Sequence, residues 1–257
     1  MLVVVVGDGD GRELAPVGVA DLSEPPHPEE TASRATVARQ METSLRMSGA
    51  YSGPVRKDGG MLQQVAPGLR RWTAPHDHWE EDVGSLAVET SDGLVLIDPI
   101  APPREVAKAD HVLVTVYWHA RSAGEIGAKH VWASARSNRP LKTRGVDVTD
   151  PFRTGDDLPG GIRAFQTARA AEVVYWLPDQ RAVVVGDVLL GAGAKPRPTS
   201  DPLRLCPERW LGKGTHAELR RTLRPLLDLP VESVLVSHGV PILSGGKQAL
   251  AAALDSG

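Results

Sequence analysis

The sequence has a single cysteine, Cys206, among 257 residues. An internal disulfide is therefore excluded, and a reducing, cytoplasmic setting is the default expectation. Positive charge is not in excess: the net charge is -3, so no basic surface points to nucleic acid as the partner. With that support gone, Trp118, Trp176 and Trp210 are expected in a core or a cleft wall, not on a base-stacking platform. No apolar run approaches the roughly 20 residues of a membrane span, so no membrane partner is expected. The opening "MLVVVVGDGDG" has no positive residues before its apolar run and no small-residue cleavage site after it, so it does not read as a signal peptide. Internal repeats and low-complexity tracts are also missing.

What is present is ordinary for a soluble globular chain. Hydrophobic residues make up 41% and charged residues 24%, enough for a sizeable core. The chain divides unequally. Residues 1–60 mix a short strand pattern, the polar Pro-rich "SEPPHPEETASRA" and the small-residue "MSGAYSGPVRKDGG", and read as a weakly ordered or partly docked extension. Within it, Glu30 to Arg46 could form a helix with a thin face of Val37, Met41 and Leu45. The glycines of "GDGDG" lack the G-x-G-x-x-G spacing, and Asp8 and Asp10 lack the other ligands of a calcium loop, so a plain turn is the reading there.

From residue 61 the pattern becomes regular. "LRRWTAP" and the two halves of "VGSLAVETSDGLVLIDPI" read as strands, with a tight turn at Ser91-Asp92-Gly93. "REVAKAD" reads as a short helix, "HVLVTVYW" as a buried strand, "SAGEIGAK" as a helix and "HVWAS" as a strand. "GIRAFQT", "EVVYWLP" and "RAVVVGDVLL" are three further strands. Thr215 and Glu218 form a capping box before a helix with Leu219, Leu223, Leu226 and Leu227 on one face, which Pro225 should bend. "VESVLVSHG" is a strand and "GGKQALAAAL" the last helix. Mixed strands flanked by helices predict an α/β (α+β) fold in which two sheets pack face to face with helices outside.

That order and four local stretches resemble the metallo-β-lactamase fold superfamily, over about residues 62–255. "VGSLAVETSDGLVLIDPI" is similar to its opening hairpin, ending at Asp98. "VLVTVYWHARSA" stands where the family's T-H-x-H-x-D-H metal motif stands. "TARAAEVVYWLPDQRAVVVGDVLLG" is similar to its G-H-x-x-G-H, two strands, G-D segment, and "VLVSHG" to its last ligand strand. The resemblance implies a four-layer αββα sandwich over 61–257 and metal-assisted hydrolysis at one edge of it. It also resembles a bacterial branch in which the altered motif recurs.

Matched residue by residue, most ligands are replaced. With Thr115 as the motif's Thr, Val116 and Trp118 take the first two His positions, Ala120 the Asp and Arg121 the third His. Sliding by one puts His119 on the second His instead. Ala168 and Glu172 fall on the next two His positions. Asp187 matches the bridging carboxylate and His238 the final His. A dinuclear site is not expected from such a set. One zinc, iron or manganese ion on Asp187, His238 and His119 is, with His76, His78 and Glu172 as further candidate ligands. "HDHW" would place His76 and His78 on one side of an extended segment. The other reading is metal-free. Arg121 then pairs with Asp187 or Glu172 in place of a cation, and His119 and His238 either do acid–base chemistry or line a binding cleft. Cys206 reads as a small buried hydrophobe more readily than as a nucleophile. Two functions follow: hydrolysis of a small ester-, thioester- or amide-type substrate, with Asp187, His238, His119 and Arg121 as the reactive set, or a degenerate member that binds a small molecule or a protein.

Overall fold

A computed structural model describes residues 61–76 and 79–256. The extension expected over residues 1–60, with its helix and its "GDGDG" turn, and His78 lie outside the described residues.

Seven strands follow one another across the first sheet: β1 (Gln63–Ala66), β2 (Leu69–His76), β3 (Glu81–Thr90), β4 (Gly93–Ile97), β5 (His111–Val114), β6 (His130–Ser134) and β7 (Asp150–Phe152). β1 to β4 pair antiparallel, and β4 to β7 pair parallel. The second sheet has four strands: β8 (Arg163–Gln166), β9 (Val173–Leu177), β10 (Ala182–Val185) and β13 (Ser233–Val236). Their order is β13-β10-β9-β8, with β10 and β13 parallel. A small hairpin, β11 (Leu189–Gly191) with β12 (Leu203–Leu205), follows β10. The described helices are α1 (Asn138–Lys142), α2 (His216–Leu223) and α3 (Gly246–Asp255).

Alternation along the strands sets the layers, since successive side chains leave a strand on opposite faces. Val88, Ile97 and Leu113 of the first sheet meet Val173, Tyr175, Val184 and Leu235 of the second. The other face of the second sheet, Val174, Trp176, Val183 and Val234, packs on Leu219, Leu223, Leu250 and Leu254 of α2 and α3. The outer face of the first sheet, with Trp72, Leu96, Val112 and Val131, is covered by Val106, Ala120, Ala123, Leu141 and Val146. The sandwich is thus the αββα arrangement, and its strands are rich in Val because branched side chains suit a doubly covered pleat.

Several local expectations hold. The Thr215 hydroxyl accepts from Glu218 N, and Thr215 N donates to Glu218 Oε2 at 2.9 Å, so the capping box is complete. α2 stops at Leu223, and Arg224–Asp228 continues as a 3-10 turn carrying Pro225. Three expectations do not hold. "REVAKAD" and "SAGEIGAK" are turns, not helices; in the second, Gly127 takes a positive φ of 67° that a continuing helix does not permit. "HVLVTVYW" is strand only to Val114 and then tightens into a 3-10 turn, Tyr117–Ala120. Asp98 causes that break. Its carboxylate takes Thr115 N at 2.8 Å and the Thr115 hydroxyl at 2.5 Å, so the chain leaves the sheet there.

Candidate metal centre

Three elements deliver three side chains that could hold a metal ion to one sheet edge. β10 and β13 run parallel with Val185 beside Val236, so Asp187 and His238, two residues further on in each chain, emerge together. Gly186 lets this edge close: a Cβ there would stand 2.7 Å from Thr115 Oγ1 and 2.9 Å from Glu172 Oε1. His119 comes from the other sheet, in the turn after β5. All three are buried, His119 at 4%, Asp187 at 4% and His238 at 1% exposure. One ligand atom from each lies within 4.8 Å of the others, and this is the cluster of its kind among the described residues.

The geometry suits a metal. Asp187 Oδ1 is 3.1 Å from His119 Nε2 and 3.2 Å from His238 Nε2. Ligand atoms about 2.0–2.1 Å from a tetrahedral zinc stand about 3.3 Å apart. Asp187 Oδ1 and His238 Nε2 are buried and make no hydrogen bond of acceptable alignment; they share an ion-pair distance only. The other nitrogen of each ring is anchored on a carboxylate: His119 Nδ1 on Asp98 Oδ2 at 2.8 Å and His238 Nδ1 on Glu81 Oε1 at 2.6 Å. A carboxylate behind each imidazole fixes its tautomer and turns Nε2 towards the shared point, as outer partners of metal-binding histidines do.

The second oxygen of Asp187 is occupied. Trp118 Nε1 donates to Oδ2 at 2.6 Å, and Arg169 Nη1 lies 3.6 Å away. The Arg169 guanidinium also sits over the Trp118 ring, 4.9 Å from its centroid, and donates to Glu172 Oε2 at 2.9 Å. Glu172 Oε1 accepts from Asp187 N and Val188 N at 2.6 and 2.9 Å. Burial raises the Glu172 carboxyl to about 7, although Arg169 pulls it down.

Charge follows from these contacts. Burial opposes protonation of His238, but the Asp187 and Glu81 carboxylates outweigh it and raise its pKa to about 9. Burial and the Arg121 charge likewise oppose protonation of His119, and Asp187 and Asp98 overcome them, raising it. Burial pushes the Asp187 carboxyl up, yet its two histidines hold it well below the usual range. A metal bound at this centre would have to displace protons.

The structure places the remaining sequence candidates elsewhere. Arg121 does not pair with Asp187 or Glu172: Nη1 donates to the carbonyls of Gly84 and Asp98, both at 2.9 Å, and Nη2 to Ser237 Oγ at 2.6 Å. The turn that ends β5 leaves Arg121 at φ 40° and sends its side chain between the sheets. The role expected of Arg121, pairing with Glu172 and Asp187, is filled by Arg169 instead. Glu172 faces inward, but Arg169 and two backbone N–H groups take its oxygens, so it braces Asp187 and stands outside the convergent set. His76 ends β2 and is not in that set either. Cys206 is buried, and burial pushes its thiol up to about 12, which suits packing and not nucleophilic attack. Glu81, Arg169 and the indole of Trp118 were not legible as site residues. Asp98 was, in part, as the residue ending the opening hairpin.

No protein-family model and no curated protein matches the chain. Solved structures do. A metallo-β-lactamase from Erythrobacter litoralis aligns at 18% identity and TM-score 0.55, over 77% of this chain and 98% of its own. One from Pontibacter korlensis aligns at 14% and 0.56, over 77% and 99%. The FIM-1 enzyme of Pseudomonas aeruginosa, in its mono-zinc form, aligns at 15% and 0.54, over 78% and 96%. The chain has the metallo-β-lactamase fold. Among the described residues, no helix is long and apolar enough to cross a membrane.

Proposed function

We propose that this protein is a metallo-hydrolase-type enzyme with a one-ion centre on His119, Asp187 and His238, acting on a small ester-, thioester- or amide-type substrate. The observation that carries the reading is the convergence of three buried ligand atoms, two of them on rings whose far nitrogens are already anchored. Three nitrogen and oxygen donors suit zinc, and also iron or manganese. When bound, such an ion supplies Lewis-acid chemistry, polarising a carbonyl and making water acidic. The chain's own residues do the rest. Asp98 and Glu81 hold the imidazoles in register. Trp118 and Arg169 keep Oδ2 of Asp187 turned away, so that carboxylate offers one oxygen, and this supports one ion over two. Trp79, edge-on to both His238 and Trp210 with centroids 5.4 Å apart, walls one side against water.

One observation favours the alternative, a metal-free binding module: Asp187 lies within ion-pair distance of both histidines, so the cluster can neutralise itself. Metal content separates the two. The protein, purified without a histidine tag, is expected to carry close to one equivalent of zinc, iron or manganese. His238→Ala is expected to lose it, and chelation to abolish hydrolysis across an ester, thioester and amide panel. An unaltered protein that takes up no metal after reconstitution removes the enzyme reading.

A further inference from the structure

We infer that the end of the sandwich where β5 begins carries a second binding site, for a small flat organic cation of the amidinium or aryl-ammonium type. A cavity of about 470 Å³ opens there, within the range of about 300–1,000 Å³ usual for small-molecule sites. The histidine centre lies beyond the other end of the same strand, and the two share no residue.

Two glycines bring the cavity walls together. The segment leading into β8 crosses the turn between β3 and β4, where Gly160 N donates to Asp92 Oδ2 at 2.7 Å. A Cβ on Gly160 would stand 2.5 Å from the Thr90 side chain, and one on Gly93 would stand 2.5 Å from Asp110 Oδ2. Both glycines have positive φ, 66° and 117°, so another residue at either position meets a clash and backbone strain together. One side of the space is apolar: Leu158, Pro159 and the half-buried ring of Trp132. That ring is fixed in place, because its Nε1 donates to His111 Nδ1 at 3.2 Å.

The other side offers acceptors. Three carboxylates, of Asp92, Asp110 and Asp157, line the cavity against one ammonium, of Lys129, a formal excess of two negative charges. Lys129 is held by Asp110 Oδ1 at 3.2 Å, and the second oxygen of Asp110 takes Leu94 N. Oδ1 of Asp92 and the whole carboxylate of Asp157 have no partner among the described residues. His111 spends Nε2 on the Asp92 carbonyl. His130, stacked on it, gives Nδ1 to Asp150 Oδ2 at 3.0 Å, so its Nε2 is left as an acceptor. Unspent carboxylate oxygens and an imidazole nitrogen therefore stand beside an indole face. Cationic N–H groups satisfy those acceptors, and a flat body packs on the indole, where cation–π attraction adds to burial. An anion would meet the excess negative charge, and a neutral amide would leave it uncompensated.

Titration with benzamidinium and benzylammonium chloride, read by heteronuclear NMR of the indole N–H groups, tests this. The Trp132 signal is the one that disappears in Trp132→Phe. Both cations are expected to move it, and benzamide, the neutral shape match of benzamidinium, to bind at least about tenfold more weakly. Asp157→Asn changes an exposed side chain without a described partner, so the thermal midpoint should hold while both cations bind about 3–10-fold more weakly. The response should persist in His238→Ala and after chelation, so the inference stands or falls apart from the metal reading. A response lost in His238→Ala would assign the cations to the histidine centre and overturn the inference. It is equally overturned by an unmoved Trp132 signal with both cations at about 10 mM, by an equal response to benzamide, by a stronger one to benzoate, or by unchanged affinity in Asp157→Asn.

Discussion

Strand β5 has a histidine at each end of its stretch of chain, and the two ends behave differently. At its start, His111 stacks on His130, ring centroids 5.0 Å apart. Trp132 Nε1 donates to His111 Nδ1 at 3.2 Å, and His111 Nε2 reaches the Asp92 carbonyl at 3.1 Å. Both nitrogens of His111 are consumed by the protein. Beyond the other end, His119 spends only Nδ1 and keeps Nε2 for a point shared with Asp187 and His238. A buried histidine beside a sheet edge is thus not enough for a metal centre. What distinguishes the two edges is an anchored far nitrogen, a converging near one and a carboxylate oxygen left without an aligned donor.

The strongest way to break that distinction is to exchange the edges' roles by mutation. His238→Ala removes one of the three proposed ligands, and metal affinity is expected to fall by more than the about 10–100-fold that loss of an outer partner costs. His111→Ala should leave metal content unchanged. Equilibrium dialysis against zinc reads both, and equal losses would sink the comparison. Next in size are Asp98→Asn and Glu81→Gln. Each leaves a hydrogen-bonding group but removes the charge behind an imidazole, so a loss of about 10–100-fold in metal affinity is expected, with the far-ultraviolet circular dichroism spectrum unchanged. Retained affinity in both would show that the carboxylates merely pack there.

How much of this was legible in the sequence depends on range. The hairpins, the β5–β6 unit and the capping box at Thr215 are local patterns, and the sandwich followed from their order. Asp187 and His238 were legible only through the fold resemblance, which sets both at one sheet edge; the parallel, in-register pairing of β10 and β13 that brings them together was not. His119 was legible only as a displaced candidate. Its turn was not, because an apolar run such as Val112–Trp118 fits a strand as well as it fits a strand that tightens into a 3-10 turn. That one misjudged boundary sent Arg121 to the wrong partner. Glu81 and Arg169 left no local trace: Glu81 meets His238 from 157 positions away, and Arg169 adjoins a position read as a lost ligand.

The smallest effects sharpen the comparison most, because the same atom is deleted at each edge. Trp118→Phe and Trp132→Phe both remove an indole N–H and keep an aromatic ring. At the metal edge the lost bond runs to a buried carboxylate oxygen, Asp187 Oδ2, and bonds to charged groups contribute about 1.5–3 kcal/mol. At the other edge it runs to a neutral imidazole nitrogen, where about 0.5–1.5 kcal/mol is the usual range. Urea unfolding is expected to show the larger loss for Trp118→Phe. Metal affinity should separate the two further. Freeing Oδ2 changes how Asp187 presents itself to an ion, so a cobalt-substituted Trp118→Phe should show a shifted visible spectrum. Trp132→Phe should leave that spectrum as it is. Matching spectra in both variants, beside a normal cobalt load, would mean that Trp118 stabilises the edge without orienting the ligand.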